Sequence, residues 1–223
     1  MAEDYLSDRE QEEALREWWR ENWRWIVGGV VLGLGLLGGW RYWEAHGERR
    51  AQEAAVAYEE LSSAVQASDY ERAEHALSEL IDRHAGSAYV EQGRMLLAKM
   101  HADREKFDEA LALLQAASKA DDEELAQVAR LRAARIMIHQ GRHDDALALL
   151  NVAQAGAFLA QVREVRGDAL FAKGDQEGAR AEYAAALASD SDAQIDRTLL
   201  EMKLQDVGGG EPSTADAQAA VQE

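Results

Sequence analysis

Residues 25–40 form an uncharged stretch that contains only Trp, Ile, Val, Leu and Gly. Extending it to Trp43, past the single charge of Arg41, gives 19 residues, which as an α-helix would span about 28 Å, the thickness of a bilayer's hydrocarbon core. Its six glycines would weaken a helix in water but are common in membrane helices. Tryptophan and tyrosine stand at both ends, as at the two membrane interfaces. The stretch predicts a transmembrane helix over 25–43.

The flanks of this segment argue against a cleaved signal peptide. Residues 1–24 carry four Arg and eight Asp or Glu, and the bulky residues Arg41, Tyr42 and Trp43 follow the apolar run. A signal peptide instead begins with a basic region and ends in small residues. The anchor is therefore expected to stay attached. The segment also contains the spacing GxGxxG over 33–38, but no pattern of alternating strands and helices supports a dinucleotide site.

Three glycines of the predicted membrane helix fall on one helical face: Gly28, Gly35 and Gly39. Small residues on one face let two helices approach closely, so a partner helix could pack there. The alternative is that these glycines are only tolerated by the membrane helix. The sequence alone does not separate the two interpretations.

Residues 1–24 are predicted to be an amphipathic segment on the cytoplasmic side, with Trp18 and Trp19 on its apolar face. Trp23 belongs to the aromatic belt at the same end of the membrane helix. A plain aromatic anchor without a partner is the alternative. Contact with the lipid bilayer is expected in both cases.

The orientation of the anchor is harder to predict. Near the membrane segment, three arginines lie before it and three after it, so the rule that positive charge stays inside gives a tie: Arg16, Arg20 and Arg24 against Arg41, Arg49 and Arg50. An uncleaved first apolar segment behind a short polar amino end favours a cytoplasmic amino terminus and a translocated carboxyl side.

Beyond the anchor, a four-fold repeat is visible. Alanines at 37-, 36- and 33-residue spacing mark it: Ala73, Ala110, Ala146 and Ala179. Twelve residues before them stand Leu61, Ala98, Ala134 and Gly167, and five before them Ser68, Glu105, Gly141 and Gly174. Small residues at these positions suit pairs of antiparallel helices that cross closely, and glycine suits the turn between them. The spacing resembles tetratricopeptide repeats and predicts an all-α solenoid.

The first repeat departs from this pattern, because Leu61 occupies a position where a small residue is expected. Longer loops are expected near 84–89 and 118–124. The repeat domain is predicted to cover 44–206, with residues 191–206 as a closing helix. Residues 207–223 are predicted to be a flexible tail because of their Gly and Pro content.

A partner-binding face is expected on the first helix of each repeat pair. Counting back from the repeat alanines selects an apolar set with two cations at its rim: Met95, Lys99, Val128, Leu131, Arg135, Ile138 and Phe171. Such a set suits an amphipathic or unfolded segment. The alternative is that its apolar members pack between helices.

No chemistry is predicted. The chain has no cysteine, and His139 and His143 flank Gly141 at a predicted turn without a third ligand. Neither the acids at 121–124 nor those at 190–196 have the pattern of a calcium loop. With 42 acidic against 24 basic residues and a net charge of −18, nucleic acid is excluded as a partner. Neither an enzyme nor a cofactor is expected.

Nearly the full chain, apart from the tail that begins at Gly208, resembles the YfgM-like family of ancillary Sec translocon subunits. The resemblance rests on residues 5–11 and 15–22, on the Gly-rich anchor that ends at Trp43, and on four degenerate repeats that end near Gln205. It implies a single-pass protein of the bacterial inner membrane with a cytoplasmic amino terminus and a periplasmic repeat domain. The implied partners are the SecYEG channel, a membrane-anchored periplasmic chaperone of the prolyl-isomerase type, and emerging polypeptides, and a link to envelope stress regulation is implied as well.

Two functional interpretations follow. The first is a translocon-associated subunit that binds chaperones and emerging chains. The second is a membrane-tethered scaffold that joins other proteins and has no chaperone role.

Overall fold

The computed structural model describes residues 8–189 and 195–208, and these contain nine α-helices and no strand. The helices are α1 (Asp8–Gln66), α2 (Tyr70–Arg83), α3 (Ala88–Ala102), α4 (Phe107–Ala117), α5 (Glu123–His139), α6 (His143–Leu149), α7 (Leu159–Lys173), α8 (Gln176–Leu187) and α9 (Arg197–Asp206). Two short 3₁₀ helices, Val152–Gln154 and Gly156–Phe158, lie between α6 and α7. The predicted all-α fold is confirmed. The predicted tail lies outside the described residues from residue 209 onward.

The chain divides into two compact units between Glu53 and Ala54. In the first unit, residues 8–24 and 25–43 belong to the same helix, α1, without a break. By length and composition α1 could cross a membrane, and none of its apolar window is buried within the protein. The predicted amino-terminal membrane helix is thus present as a candidate. The GxGxxG spacing lies in the interior of this helix and has no strand before it.

The second unit consists of four helix pairs: residues 54–66 of α1 with α2, then α3 with α4, α5 with α6, and α7 with α8. The repeat alanines occupy equivalent places near the start of the second helix of each pair, and Ala73, Ala110, Ala146 and Ala179 are all fully buried. Leu61, Ala98, Ala134 and Gly167 on the first helices are buried too. The predicted register of the repeat is confirmed, and these positions are those where paired helices pack.

The turn inside each pair has the same geometry four times. Its central residue is left-handed, with φ of 57° at Ser68, 61° at Glu105, 76° at Gly141 and 91° at Gly174. In the fourth turn the Gly174 N–H donates to the Phe171 carbonyl and the Asp175 N–H to the Leu170 carbonyl, both at 2.9 Å. The other turns repeat this pair of hydrogen bonds. It is the Schellman arrangement that satisfies the last carbonyls of a helix.

Two glycines allow close approach of neighbouring helices. A Cβ on Gly93 would lie 2.8 Å from Leu61 Cδ2 and 3.1 Å from both Leu77 and Leu80. The large Leu61 of the first pair is therefore accommodated by a missing side chain on α3, which explains how the first repeat departs from the pattern and still packs. In the fourth pair, a Cβ on Gly167 would overlap the Tyr183 ring.

The carboxyl end of the stack is closed by α9. Leu200 is fully buried there, in a cluster with Ala179, Tyr183 and Ala186. The closing helix begins at Arg197, later than the predicted residue 191, and Asp196 caps it by accepting from the Leu199 N–H. Residues 191–194 lie outside the described part of the chain.

The contact between Gly167 and Tyr183 gives a first prediction. Gly167→Ala should lower the free energy of unfolding by about 1–2 kcal/mol, because the cost of overpacking exceeds the roughly 1 kcal/mol that alanine gains in helix propensity. The ring cannot move aside freely, since Tyr183 is 2% exposed and its hydroxyl donates to Asp168 Oδ1 at 2.8 Å. Thermal unfolding followed by circular dichroism measures the change.

The matched control is the same substitution in a Tyr183→Leu background. There Gly167→Ala should cost less than in the natural protein, because the ring that it meets is gone. An equal cost in both backgrounds would contradict the explanation by helix contact.

Candidate partner-binding face

The first helices of successive pairs lie beside each other, so that α3 contacts α5 and α5 contacts α7. Each contact leaves a groove. The α3–α5 groove has a volume of about 360 Å³ and is lined by Met95, Ala98, Lys99, Ala102, Leu114, Arg132, Arg135 and Ile136. The α5–α7 groove has a volume of about 280 Å³ and is lined by Val128, Leu131, Arg132, Arg135, Phe158, Gln161, Glu164, Ile195 and Asp196.

Five of the seven residues predicted for the partner-binding face line these grooves: Met95, Lys99, Val128, Leu131 and Arg135. Ile138 is half-buried and packs against the main core, and Phe171 lies on α7 with 48% of its surface exposed. The counting rule thus selected residues of the first helices, most of which line these two grooves. Whether this face binds a partner stays a prediction.

Most apolar residues of the predicted set are buried and do not form an open apolar patch. Met95 and Leu131 are 5% and 4% exposed and belong to the core between the helices. Val128 and Ile138 are half-buried and pack against that core. Met95, Val128, Leu131 and Ile138 therefore contribute mainly to helix packing, while Phe171, Lys99 and Arg135 are exposed.

Arg132 was missed by the sequence analysis although it lines both grooves. The positions counted from the repeat alanines follow one narrow stripe of each first helix, and Arg132 lies one residue beyond Leu131, at the edge of that stripe. Its spacing of three from Arg135 was the available signal, because residues three apart share a helix face.

A charged cluster fixes α9 against α7. Lys203 Nζ donates to Glu164 Oε1 at 2.8 Å and to Asp168 at 2.8 and 3.0 Å, and Asp168 also accepts from the Tyr183 hydroxyl. The Lys203 side chain is 24% exposed and that of Glu164 15%. Since Glu164 lines the α5–α7 groove, this cluster holds one wall of the groove in place.

The cluster shifts the pKa of two of its members. Burial disfavours the charge of Lys203, but its hydrogen bonds to Asp168 and Glu164 outweigh burial and raise the pKa of the ammonium above its ordinary value. Burial, followed by the negative charge of Asp168, raises the pKa of the Tyr183 hydroxyl far above its ordinary value. Lys203 is therefore charged and Tyr183 neutral throughout the physiological range.

A second cluster links the third pair to the fourth. Arg166 Nη1 donates to the carbonyls of Leu147 and Leu150 at 3.2 and 3.0 Å, and its Nε donates to Glu182 Oε1 at 2.8 Å. Arg163 also reaches Glu182, at 3.1 Å. The short helix α6 thus has its last carbonyls satisfied by a side chain of the next repeat, which couples the two pairs.

In the first unit, the residues predicted for membrane association are exposed. Trp18 and Trp19 are each 53% exposed and Trp23 45%. A Cβ on Gly28, Gly35 or Gly39 would meet no atom within 4 Å. This face of α1 therefore leaves room for another helix, and its contact with a partner stays a prediction.

No metal-binding arrangement of three or more His, Asp or Glu side chains occurs within residues 8–189 and 195–208. His139 stacks obliquely on Phe107, with ring centroids 4.9 Å apart. His143 is half-buried at the start of α6.

A candidate membrane helix followed by stacked helix pairs places the chain in the class of helical-repeat proteins. Residues 16–209 match the family described as tetratricopeptide repeat-like domain, which is a protein-interaction fold and not an enzyme class.

Full-length relatives narrow the class further. The chain is 32% identical over 203 residues to an ancillary SecYEG translocon subunit of Escherichia coli. The aligned region covers 91% of this chain and 97% of the relative. It is 31% identical to the ancillary SecYEG translocon subunit of Haemophilus influenzae, over 90% of this chain and 98% of the relative. The chain belongs to the family of ancillary SecYEG translocon subunits. The resemblance seen in the sequence is thereby confirmed.

The Lys203 cluster gives a second prediction. Lys203→Met should lower the free energy of unfolding by about 1–2 kcal/mol, because Glu164 and Asp168 keep their partly buried charges and lose their cation. Chemical denaturation of the full chain in detergent measures it. As a control, Lys173→Met removes an exposed pair in which Nζ lies 2.6 Å from Asp144 Oδ1, and it should leave stability unchanged.

The pH dependence has a defined sign. Because folding raises the pKa of Lys203, its stabilisation is complete below the unfolded pKa of about 10.4 and is lost as the pH rises through the folded value. The stability difference between the natural protein and Lys203→Met should therefore stay constant at neutral pH and shrink over the interval above about pH 10.4. A difference that grows over this interval would contradict the assignment.

Proposed function

We propose that this protein is an ancillary subunit of the Sec translocon in the bacterial inner membrane, anchored by α1, whose repeat domain binds other proteins. The observation that supports this most is the agreement along the chain: relatives named ancillary SecYEG translocon subunits match about 90% of it. The match includes both the candidate membrane helix and the repeats.

The proposed orientation has residues 1–24 in the cytoplasm and the repeat domain in the periplasm. It is supported by the short polar amino end and by the absence of a cleavage pattern after residue 43. The arginines on the two sides of the helix balance and favour neither orientation.

The proposed partners fall into two groups. The glycine face of α1, defined by Gly28, Gly35 and Gly39, would contact the SecYEG channel within the bilayer, because it leaves space for a second helix. The groove face of the repeat domain would bind a membrane-anchored periplasmic prolyl-isomerase-type chaperone and emerging polypeptides. A link to envelope stress regulation remains an expectation from the family resemblance.

A membrane-tethered scaffold without a chaperone role is the second candidate. One observation favours it: Met95 and Leu131 are buried in the core, so the repeat domain exposes less apolar surface than a site for unfolded chains would use. Binding of folded partners through polar and charged rims fits this surface as well.

The orientation is tested with a reporter enzyme that is active only outside the cytoplasm. The fusion is made after Gly208 so that α9 with its buried Leu200, and the buried Val207 that follows it, stay intact. High activity is expected, and the same reporter fused to the amino terminus of the full chain should be inactive as the control. The reverse pattern would overturn the periplasmic placement and leave a cytoplasmic scaffold.

The glycine face is tested by crosslinking in intact membranes. Gly35→Leu with Gly39→Leu should reduce the amount of SecYEG that co-purifies, because two leucines fill the space on that face. Gly29→Leu with Gly33→Leu is the matched control: it has the same spacing and lies about 100° or more around the helix, so co-purification should persist. Equal amounts from both variants, with equal insertion, would contradict the proposed contact.

A further inference from the structure

The α3–α5 groove is positively charged in a protein whose net charge is −18. Its lining contains Lys99, Arg132 and Arg135 and no carboxylate. A cationic recess in an acidic chain is selective, because the surrounding negative charge repels acidic partners elsewhere on the surface and leaves this site as an attractive one.

Two of these cations have no carboxylate partner in the part of the chain that the structure describes. Within residues 8–189 and 195–208, no carboxylate lies within 4 Å of the guanidinium of Arg132 or Arg135, whereas Lys99 Nζ lies 2.6 Å from Asp103 Oδ2. Both arginines are exposed and stand three residues apart on α5. Like charges at this spacing repel each other, so an anion placed between them would relieve an unfavourable contact.

The floor of the same groove is apolar. Met95 and Leu114 are buried below it, with Ala98 and Ala102 on one side and Ile136 on the other. Its volume of about 360 Å³ suits a small number of side chains of a partner. The flexible thioether of Met95 adapts to side chains of different shape.

We propose that the α3–α5 groove binds a partner protein segment in which large apolar side chains stand next to Asp or Glu. The apolar side chains occupy the floor, and the carboxylates pair with Arg132 and Arg135, whose planar guanidinium groups bind carboxylates through two parallel hydrogen bonds. This rests on the proposed function of the repeat domain as a protein-binding module. It adds the chemical class of the segment that is bound.

Direct binding to short fluorescent peptides tests the proposal. The full chain is reconstituted in phosphatidylcholine nanodiscs, and fluorescence anisotropy is measured with a peptide in which Leu and Phe alternate with Asp and Glu. Two matched peptides replace the acids by Asn and Gln or by Lys. The acidic peptide is expected to bind at least about tenfold more tightly than either, and added salt should reduce the difference.

Arg132→Gln with Arg135→Gln should weaken binding of the acidic peptide about tenfold and leave binding of the amide peptide unchanged. The control, Arg180→Gln with Lys119→Gln, changes the net charge equally at exposed positions outside the groove. It should bind like the natural chain, and all variants should keep the same melting temperature.

Three results would overturn the proposal: no binding of the acidic peptide, equal binding of the acidic and lysine peptides, or equal effects of the groove and control variants. A fourth result would also overturn the proposal: the acidic peptide fails to bind in phosphatidylglycerol nanodiscs, and the natural chain, but not the Arg132→Gln, Arg135→Gln variant, retains that lipid on purification. Arg132 and Arg135 would then bind lipid headgroups instead of a protein segment. Co-purification of SecYEG with the natural chain is scored separately, so that failure of the proposed function is distinguishable from failure of the groove.

Discussion

The structure of the repeat domain depends on small buried residues where the two helices of each pair pack. Ala110, Ala146 and Ala179 on the second helices are fully buried, and Ala98, Ala134 and Gly167 occupy equivalent buried places on the first helices. A larger side chain there would separate the helices and open the core, since interiors are close-packed. In the first pair Leu61 stands where a small residue is expected, and the space for its side chain comes from the missing side chain of Gly93 on α3. The grooves between successive pairs exist only because this spacing is maintained.

Partly buried ion pairs add to the apolar packing at the carboxyl end of the repeat domain. Glu182 on α8 forms ion pairs with Arg163 and Arg166 of α7. Lys203 on α9 forms ion pairs with Glu164 and Asp168 of α7. These pairs connect residues 16–39 positions apart in sequence, so they join the two helices of the fourth pair and hold that pair against its closing helix. Partly buried pairs of this kind are costly to break singly, and they specify which helix face meets which. The arginines at the α3–α5 groove differ from them because they have no such role among the described residues.

The sequence predicted the parts of this fold that depend on local spacing. The spacing of the repeat alanines predicted which residues of paired helices pack together, and the uncharged stretch predicted the candidate membrane helix. Gly141 and Gly174 predicted the positions of two turns. The equivalent turns at Ser68 and Glu105 could not be inferred in the same way, because nothing in these side chains indicates a left-handed backbone. The burial of individual residues could not be predicted either, because helical spacing assigns Met95 and Leu131 to a helix face but does not show that a neighbouring helix covers them. Lys203 could not be linked to Glu164 and Asp168, since contacts over such separations are set by the stacked repeats.

The two kinds of connection in the repeat domain differ in what they can tolerate over evolution. The turns within pairs share one hydrogen-bonded form, because a change of length there would rotate the second helix and misplace its alanine. The segments between pairs lengthen along the chain, from residues 84–87 through 118–122 to 150–158. Length variation can accumulate in these segments without disturbing either neighbouring pair. Members of one family can therefore drift apart in repeat period while every helix pair keeps its internal geometry, which makes the turns better landmarks than the period for aligning distant relatives.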